Sequence, residues 1–303
     1  TRMTYTALLS TEAAFVRYEQ VRDRLPAAQF PATPRTCANL AEIAPHVDAF
    51  VLDAFGVLNV GGTPIPGAVD RIAELRAMGK KLIVLTNAAS DDHGFAIKKF
   101  EGLGFDFSGD EIITSRDVCV RHIHTNLPDG RWGAICKEAD TLEDIGLDIV
   151  AWTADQQPEV DGILMLSSER IDDRLMRGLE DALRAKPRPL ICANPDLVAP
   201  RETGLSCEPG FFTHALADST GVNPAFFGKP FGNAYVAATD RLGAVSPDRI
   251  AMVGDTLHTD VLGGAAAGMK TVLIEDHGLF KGHDVARYME QSGIRPDFIC
   301  PTT

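Results

Sequence analysis

No apolar run in this 303-residue chain approaches the ~18 to 20 positions needed to cross a bilayer. Its six cysteines (Cys37, Cys119, Cys136, Cys192, Cys207 and Cys300) are scattered, with no Cys-x-x-Cys pair and no cluster of histidines beside them. Neither a disulfide framework nor a zinc site is therefore suggested. Positive charge is short as well: 29 Lys and Arg stand against 42 Asp and Glu, for a net charge of −13 and a pI near 5.0. Such a surface repels a phosphate backbone, which argues against nucleic-acid binding. Internal repeats and low-complexity segments are lacking too. These absences leave a soluble protein of a reducing cytoplasm as the expectation. A small phosphorylated metabolite remains compatible, because a local nest of donors, a lysine and a divalent cation can sit inside an acidic protein.

What is present is a 45% hydrophobic chain, enough for a substantial core in one large domain or two modest ones. Residues 1–46 read as a helical extension, with Thr11 capping a helix that runs to about Arg24 before Pro26, Pro31 and Pro34. From Ala49 onward strands and helices alternate, which predicts a parallel sheet covered on both faces. The predicted strands are Ala49–Asp53, Lys81–Thr86, Phe226–Lys229, Ile250–Gly254 and Thr271–Ile274. The helices between them start at Pro66 and Gly67, span Asn233–Leu242, and run from Thr259 to about Ala267. A middle stretch has its own strands (Trp132–Cys136, Ile149–Trp152, Gly162–Leu166, Leu190–Ala193) and a helix over Asp172–Ala185. It is long enough for a second core. The division expected is thus residues 47–124 and 223–303 as one domain, interrupted by 125–222.

Four segments at predicted strand ends carry the chemistry, and strand ends are where open α/β sheets bind ligands. Asp53 follows the buried run Ala49–Leu52, and a carboxylate there is costly unless paired or metal-bound. Taken alone it could also cap a turn, the lesser of the two readings. Thr86 and Asn87 offer a hydroxyl and an amide, although the pair also suits a turn with a helix cap at Ser90. Lys229, in Gly228-Lys229-Pro230, could neutralise a phosphate or the Asp53 carboxylate, although the segment alone more often carries a solvated lysine. In Gly254-Asp255-Thr256-Leu257-His258-Thr259-Asp260, two carboxylates five residues apart converge as hard oxygen ligands suited to Mg²⁺. His258, with no second histidine nearby, is assigned to the surface or to supporting the ligands.

The order Asp, Thr-Asn, Lys, Gly-Asp-x4-Asp resembles the haloacid dehalogenase (HAD) superfamily. It is most similar to class IIA, which includes NagD-like phosphatases, p-nitrophenyl phosphatases, and the pyridoxal phosphate and phosphoglycolate phosphatases. The branch is carried by Leu52-Asp53, Gly56-Val57-Leu58, Pro66-Gly67-Ala68, Leu85-Thr86-Asn87-Ala88-Ala89-Ser90, Ala193-Asn194-Pro195-Asp196, Gly228-Lys229-Pro230 and Val253-Gly254-Asp255-Thr256 with Thr259-Asp260. The resemblance implies an α/β, Rossmann-like, doubly wound parallel-sheet core with an α/β cap domain inserted between the second and third motifs. It further implies that Asp53 attacks phosphorus. Thr86 and Lys229, with Asn87 nearby and the backbone after Asp53 at Phe55 and Gly56, would hold the phosphoryl group. Mg²⁺ would bind Asp53, Asp255 and the Phe55 carbonyl, with Asp260 as ligand or supporting partner. In the cap, Asn194, Asp196 and Arg201 become specificity candidates, though a solvated loop residue is the safer reading of Arg201. Trp132 and Trp152 read as core. By analogy a homodimer through the cap is expected, with no membrane partner.

One position departs from the pattern. Phosphatases of this family carry a second Asp two residues after the nucleophile, as the acid that protonates the leaving group; here Phe55 stands there. A positioned general acid contributes roughly 10²- to 10⁴-fold. Three readings compete: a phosphatase for esters with good leaving groups or one recruiting an acid from the cap, a metal-independent 2-haloacid dehalogenase suggested by Asp-Ala-Phe-Gly, and a phosphate-binding or regulatory protein without turnover. Against the dehalogenase, Asp255 and Asp260 would repel an anionic haloacid.

Overall fold

The computed structural model describes residues 9–127, 129–137 and 142–303. Seven parallel strands form the larger sheet, in the order Arg35–Thr36, Phe298–Cys300, Lys270–Ile274, Ile250–Gly254, Ala49–Leu52, Lys81–Thr86, Ile112–Thr114. Ala49–Leu52 and Ile250–Gly254 are wholly buried, as strands covered on both faces must be. One face packs Leu52, Ile72, Leu75 and Phe100 into a common cluster, and the other packs Val51, Leu85, Tyr235 and Met252. Ala49–Leu52 lies between Ile250–Gly254 and Lys81–Thr86, so the chain reverses its direction of strand addition there. Asp53, Thr86 and Asp255 follow or end these three neighbouring strands, at the crevice where such sheets place their ligands.

A second, five-stranded parallel sheet runs Ala225–Phe226, Leu190–Cys192, Gly162–Met165, Trp132–Ile135, Ile149–Ala151. Trp132 and Trp152 are buried in it as expected. The strand foreseen at Phe226–Lys229 in the larger sheet is instead Ala225–Phe226 at the edge of this one. The reason is packing: Phe226 joins the apolar cluster on one face of the small sheet and Phe227 the cluster on the other. A hairpin, Val198–Arg201 with Gly204–Cys207, projects beyond it.

Local details also differ from the sequence reading. Ser10, not Thr11, caps the first helix, Thr11–Gln20, by accepting from the Ala13 N–H. Asp92, not Ser90, caps the helix His93–Gly102. The segment before residue 47 is not only helical, since Arg35–Thr36 extends the large sheet. The helix predicted from Thr259 begins earlier as a π-turn, Leu257–Val261, before the α-helix Leu262–Ala266. All six cysteines are free thiols. Among the described residues no helix is long and apolar enough to cross a membrane.

Candidate active site

The turn after Ala49–Leu52 is shaped by Gly56, whose φ is +80° and where a Cβ would lie 2.7 Å from Asp255. Only glycine meets both demands. The turn carries Asp53 to the end of the sheet, with its Oδ1 accepting from the Ala54 N–H at 2.7 Å. Gly254 serves the neighbouring strand in the same way: a Cβ there would sit 1.9 Å from Asp260 Cγ. This close approach lets Asp260 fold back onto its own strand, where Oδ2 accepts from the Thr256 N–H at 3.1 Å. Asp255 is fixed by the Thr256 hydroxyl at 2.9 Å and the Leu279 N–H at 2.7 Å.

Asp53, Asp255 and Asp260 each present a carboxylate oxygen within 4.8 Å of the others. Among the described residues Lys229 is the one cation within ion-pair distance of them, its Nζ 2.6 Å from Asp53 Oδ1 and 2.8 Å from Asp260 Oδ1. One ammonium among three carboxylates leaves negative charge uncompensated in a site from which water is largely excluded. The titration behaviour reflects it. Burial pushes Asp53 up to about 6 against the pull of Lys229. Burial, then repulsion from Asp260 and Asp53, pushes Asp255 up to about 8. Lys229 is disfavoured by burial, yet the carboxylates of Asp260, Asp53 and Asp196 hold it above its ordinary range. Three hard oxygen donors with surplus negative charge have the chemistry of a divalent-cation site.

Around this group lies a cavity of about 370 Å³, bordered by Asp53, Phe55, Thr86, Lys99, Asp196 and Arg201 among others. Thr86 Oγ accepts from the Ala88 N–H and keeps its own proton to donate. Asn87 differs from expectation. Its Nδ2 donates to Asp196 Oδ1 and to the Lys229 carbonyl, and its Oδ1 accepts from the Lys229 N–H. With its amide so occupied, Asn87 positions Lys229 instead of offering a free donor to a phosphoryl oxygen. The Gly56 N–H, expected to face a phosphate, donates to the Asn59 carbonyl at 2.8 Å. The Phe55 N–H has no such partner among the described residues.

From the small sheet, Asn194 and Asp196 reach the cavity wall. Asn194 binds Glu208 and orients the Asp196 N–H. Burial drives the Asp196 carboxyl well above its usual range, opposed by Lys229. Arg201 is not simply solvated: its guanidinium carbon lies 4.8 Å from the Phe55 ring centroid, and Nη2 pairs with Glu208. Of the two places expected for His258, the surface is excluded. It is fully buried, stacked on Tyr18 at 4.9 Å and paired with Glu19. The sequence reading passed over Lys99, whose Nζ lies 4.3 Å from the Phe55 centroid. The only available signal was its place four residues after Phe95 on an amphipathic helix that follows Thr86-Asn87.

Comparison with known proteins accords with this geometry. Residues 50–148 match the haloacid dehalogenase-like hydrolase model, and residues 226–303 match the HAD-hydrolase-like model. An acid sugar phosphatase from Staphylococcus aureus is 27% identical over 238 residues, covering 75% of this chain and 86% of that protein. The p-nitrophenyl phosphatase from Archaeoglobus fulgidus superposes with a TM-score of 0.71 at 28% identity, over 85% of this chain and 97% of its own. A glycerol phosphate phosphatase from Mycobacterium tuberculosis, solved in complex with magnesium, gives 0.63 at 27% identity over 78% and 69%. With its parallel sheet and the residues brought together at its crevice, the chain belongs to the haloacid dehalogenase-like hydrolases.

Proposed function

We propose that the protein is a Mg²⁺-dependent phosphatase of small phosphorylated metabolites that works through an aspartyl-phosphate at Asp53. The observation that carries this reading is the pairing of Asp53 with Lys229 beside Asp255 and Asp260. Asp53 is ionised at neutral pH, since burial raises it only to about 6. Its free oxygen attacks phosphorus, the new O–P bond forming as the bond to the leaving oxygen breaks. Lys229 balances charge on the phosphoryl oxygens, and the Thr86 hydroxyl and Phe55 N–H donate to them. Water then attacks the aspartyl-phosphate, releasing phosphate and restoring Asp53. Asp53, Asp255, Asp260 and the Phe55 carbonyl would hold Mg²⁺, which when bound neutralises the phosphoryl charge.

Phe55 has no proton to give, so the leaving group departs without the acid its relatives' motif supplies. The rate should therefore depend steeply on leaving-group basicity, with aryl and acyl phosphates turned over faster than alkyl ones. A metal-independent attack on a haloacid is disfavoured by the excess negative charge of the three carboxylates. The test is phosphate release with Mg²⁺ from a series running from p-nitrophenyl to alkyl phosphates, beside Asp53→Asn and Phe55→Asp. Asp53→Asn should abolish release, and Phe55→Asp should raise turnover of alkyl phosphates most. If the wild type and Phe55→Asp both leave p-nitrophenyl phosphate intact, the phosphatase reading fails; accumulation of phosphorylated Asp53 without release would identify a binding or regulatory protein instead.

A further inference from the structure

Two cations from different elements converge on the ring of Phe55. Lys99 stands on the helix His93–Gly102, with Nζ 4.3 Å from the ring centroid. Arg201, at the end of the hairpin strand Val198–Arg201, places its guanidinium carbon 4.8 Å from the same centroid. Both border the cavity that contains Asp53. Nε of Arg201 donates to Ser206 and Nη2 to Glu208, while Nη1 has no partner among the described residues. The half-buried ammonium of Lys99 has neither a hydrogen bond nor an ion pair among them. Burial, then repulsion from Arg201, draws it down to about 8, against longer-range attraction by Asp53 and Asp91.

Two like charges on one ring repel each other, and only one of them is paired: Arg201 meets Glu208 at 3.0 Å and stays partly exposed, while the half-buried Lys99 has no carboxylate within ion-pair distance among the described residues. Phe55 sustains the arrangement. A ring face attracts cations without cancelling their charge, whereas an Asp at this position would itself neutralise them.

We propose that Lys99 and Arg201 form a second anion subsite in this cavity, so that the phosphorylated substrate carries another oxyanion, a carboxylate or a second phosphate, on its leaving-group side. This rests on the phosphatase reading for the term substrate, and its test is a binding measurement independent of turnover. The full-length chain with Mg²⁺ is titrated by calorimetry with 3-phosphonopropionate, with its neutral amide 3-phosphonopropionamide, and with propane-1,3-diphosphonate. Charge-assisted hydrogen bonds to a subsite of this kind favour the acid over the amide by about 10- to 100-fold. Lys99→Met and Arg201→Met should each bring that ratio toward one, and Lys99→Arg, which keeps the charge, should retain most of it. Tighter binding of the diphosphonate than of the carboxylate identifies the second group as phosphate, and the reverse order as carboxylate. Equal affinity of the wild type for acid and amide, or a ratio that survives both methionine variants, overturns the proposal. Hydrolysis of p-nitrophenyl phosphate by the same preparation judges the phosphatase reading separately.

Discussion

Taking the metal-free protein from about pH 5 to about pH 8 ionises carboxyls that the fold holds away from water. Asp53 titrates at about 6 and Asp255 at about 8 in the folded state, against roughly 3.9 in an unfolded chain. The folded state therefore binds more protons than the unfolded one across this window. Stability is greatest below the unfolded value and falls as pH rises through each folded value. At ~1.4 kcal/mol per pKa unit, Asp53 loses on the order of 1 kcal/mol between these pH values and Asp255 on the order of 4. Since the two repel each other, a combined loss on the order of 4 kcal/mol is the figure to test. His214, lowered to about 3 by burial and by Arg24 and Arg17, runs the other way. So does His258, lowered by burial; both buried histidines destabilise the fold as pH falls. The comparison is therefore made against Asp255→Asn, which keeps both histidines. Urea denaturation in EDTA should give a wild-type profile that falls more steeply with pH than the variant's, and Mg²⁺ at about 100 times its Kd should return ~2.7 kcal/mol to the wild type at pH 8. Parallel profiles in EDTA, or equal response of both proteins to Mg²⁺, would refute the argument.

Gly254→Ala puts a Cβ 1.9 Å from Asp260 Cγ; displacing that carboxylate should weaken Mg²⁺ binding by about 10- to 100-fold, as measured by calorimetry. Asn87→Ala removes three hydrogen bonds that hold Lys229 and Asp196; kcat should fall more than KM rises, because the lysine that balances transition-state charge is what loses its position. Tyr18→Phe deprives the buried Leu197 N–H of its 3.1 Å acceptor, and the urea midpoint should drop by the equivalent of about 1–3 kcal/mol.

The large sheet was legible because its strands are apolar runs of four to six residues ending in a polar group, as at Ala49–Leu52 and Lys81–Thr86. Asp53, Thr86, Lys229 and Asp255 were legible for the same reason: each follows such a run or the paired phenylalanines. Two-residue strands such as Arg35–Thr36 carry no periodicity, and that one is exposed on an edge. Phe226-Phe227 was misplaced because an apolar pair says that a segment is buried without saying in which of two cores. The occupation of Asn87 depends on Asp196 and Lys229, tertiary partners with no local trace, whereas the Gly56 N–H is taken up within its own turn by the Asn59 carbonyl. Lys99 and Arg201 lie 102 positions apart in sequence and meet only through Phe55.

No residue of the helix Thr11–Gln20 lines the cavity, yet that helix bears on how the site is assembled. The helix Thr11–Gln20 touches the larger-sheet side through Thr11 on the Leu279 carbonyl, Glu12 on Arg287 and Glu19 on His258. It touches the smaller-sheet side through Tyr18 on Leu197 and Arg17 on Asp218. The exposed ion pairs, Arg17 and Arg24 with Asp218, contribute at most about 1 kcal/mol each and are weakened by salt. The buried contacts are worth more. Ala14, Phe15 and Tyr18 share one apolar cluster with Leu257, Val261 and Tyr288 on one side and with Leu197, Phe211 and Leu216 on the other. At roughly 1.5–3 kcal/mol per buried large side chain, this packing outweighs the surface charges. Separating the two sheets would break it, and with it the Tyr18–Leu197 bond. Leu197 follows Asp196, so the same helix that supports the loop of Asp255 and Asp260 through His258 also holds the Asp196 carboxyl beside Asn87 and Lys229. The position of the small-sheet loop over the carboxylates is thus set by apolar contacts from a part of the chain outside both sheets' sequence motifs.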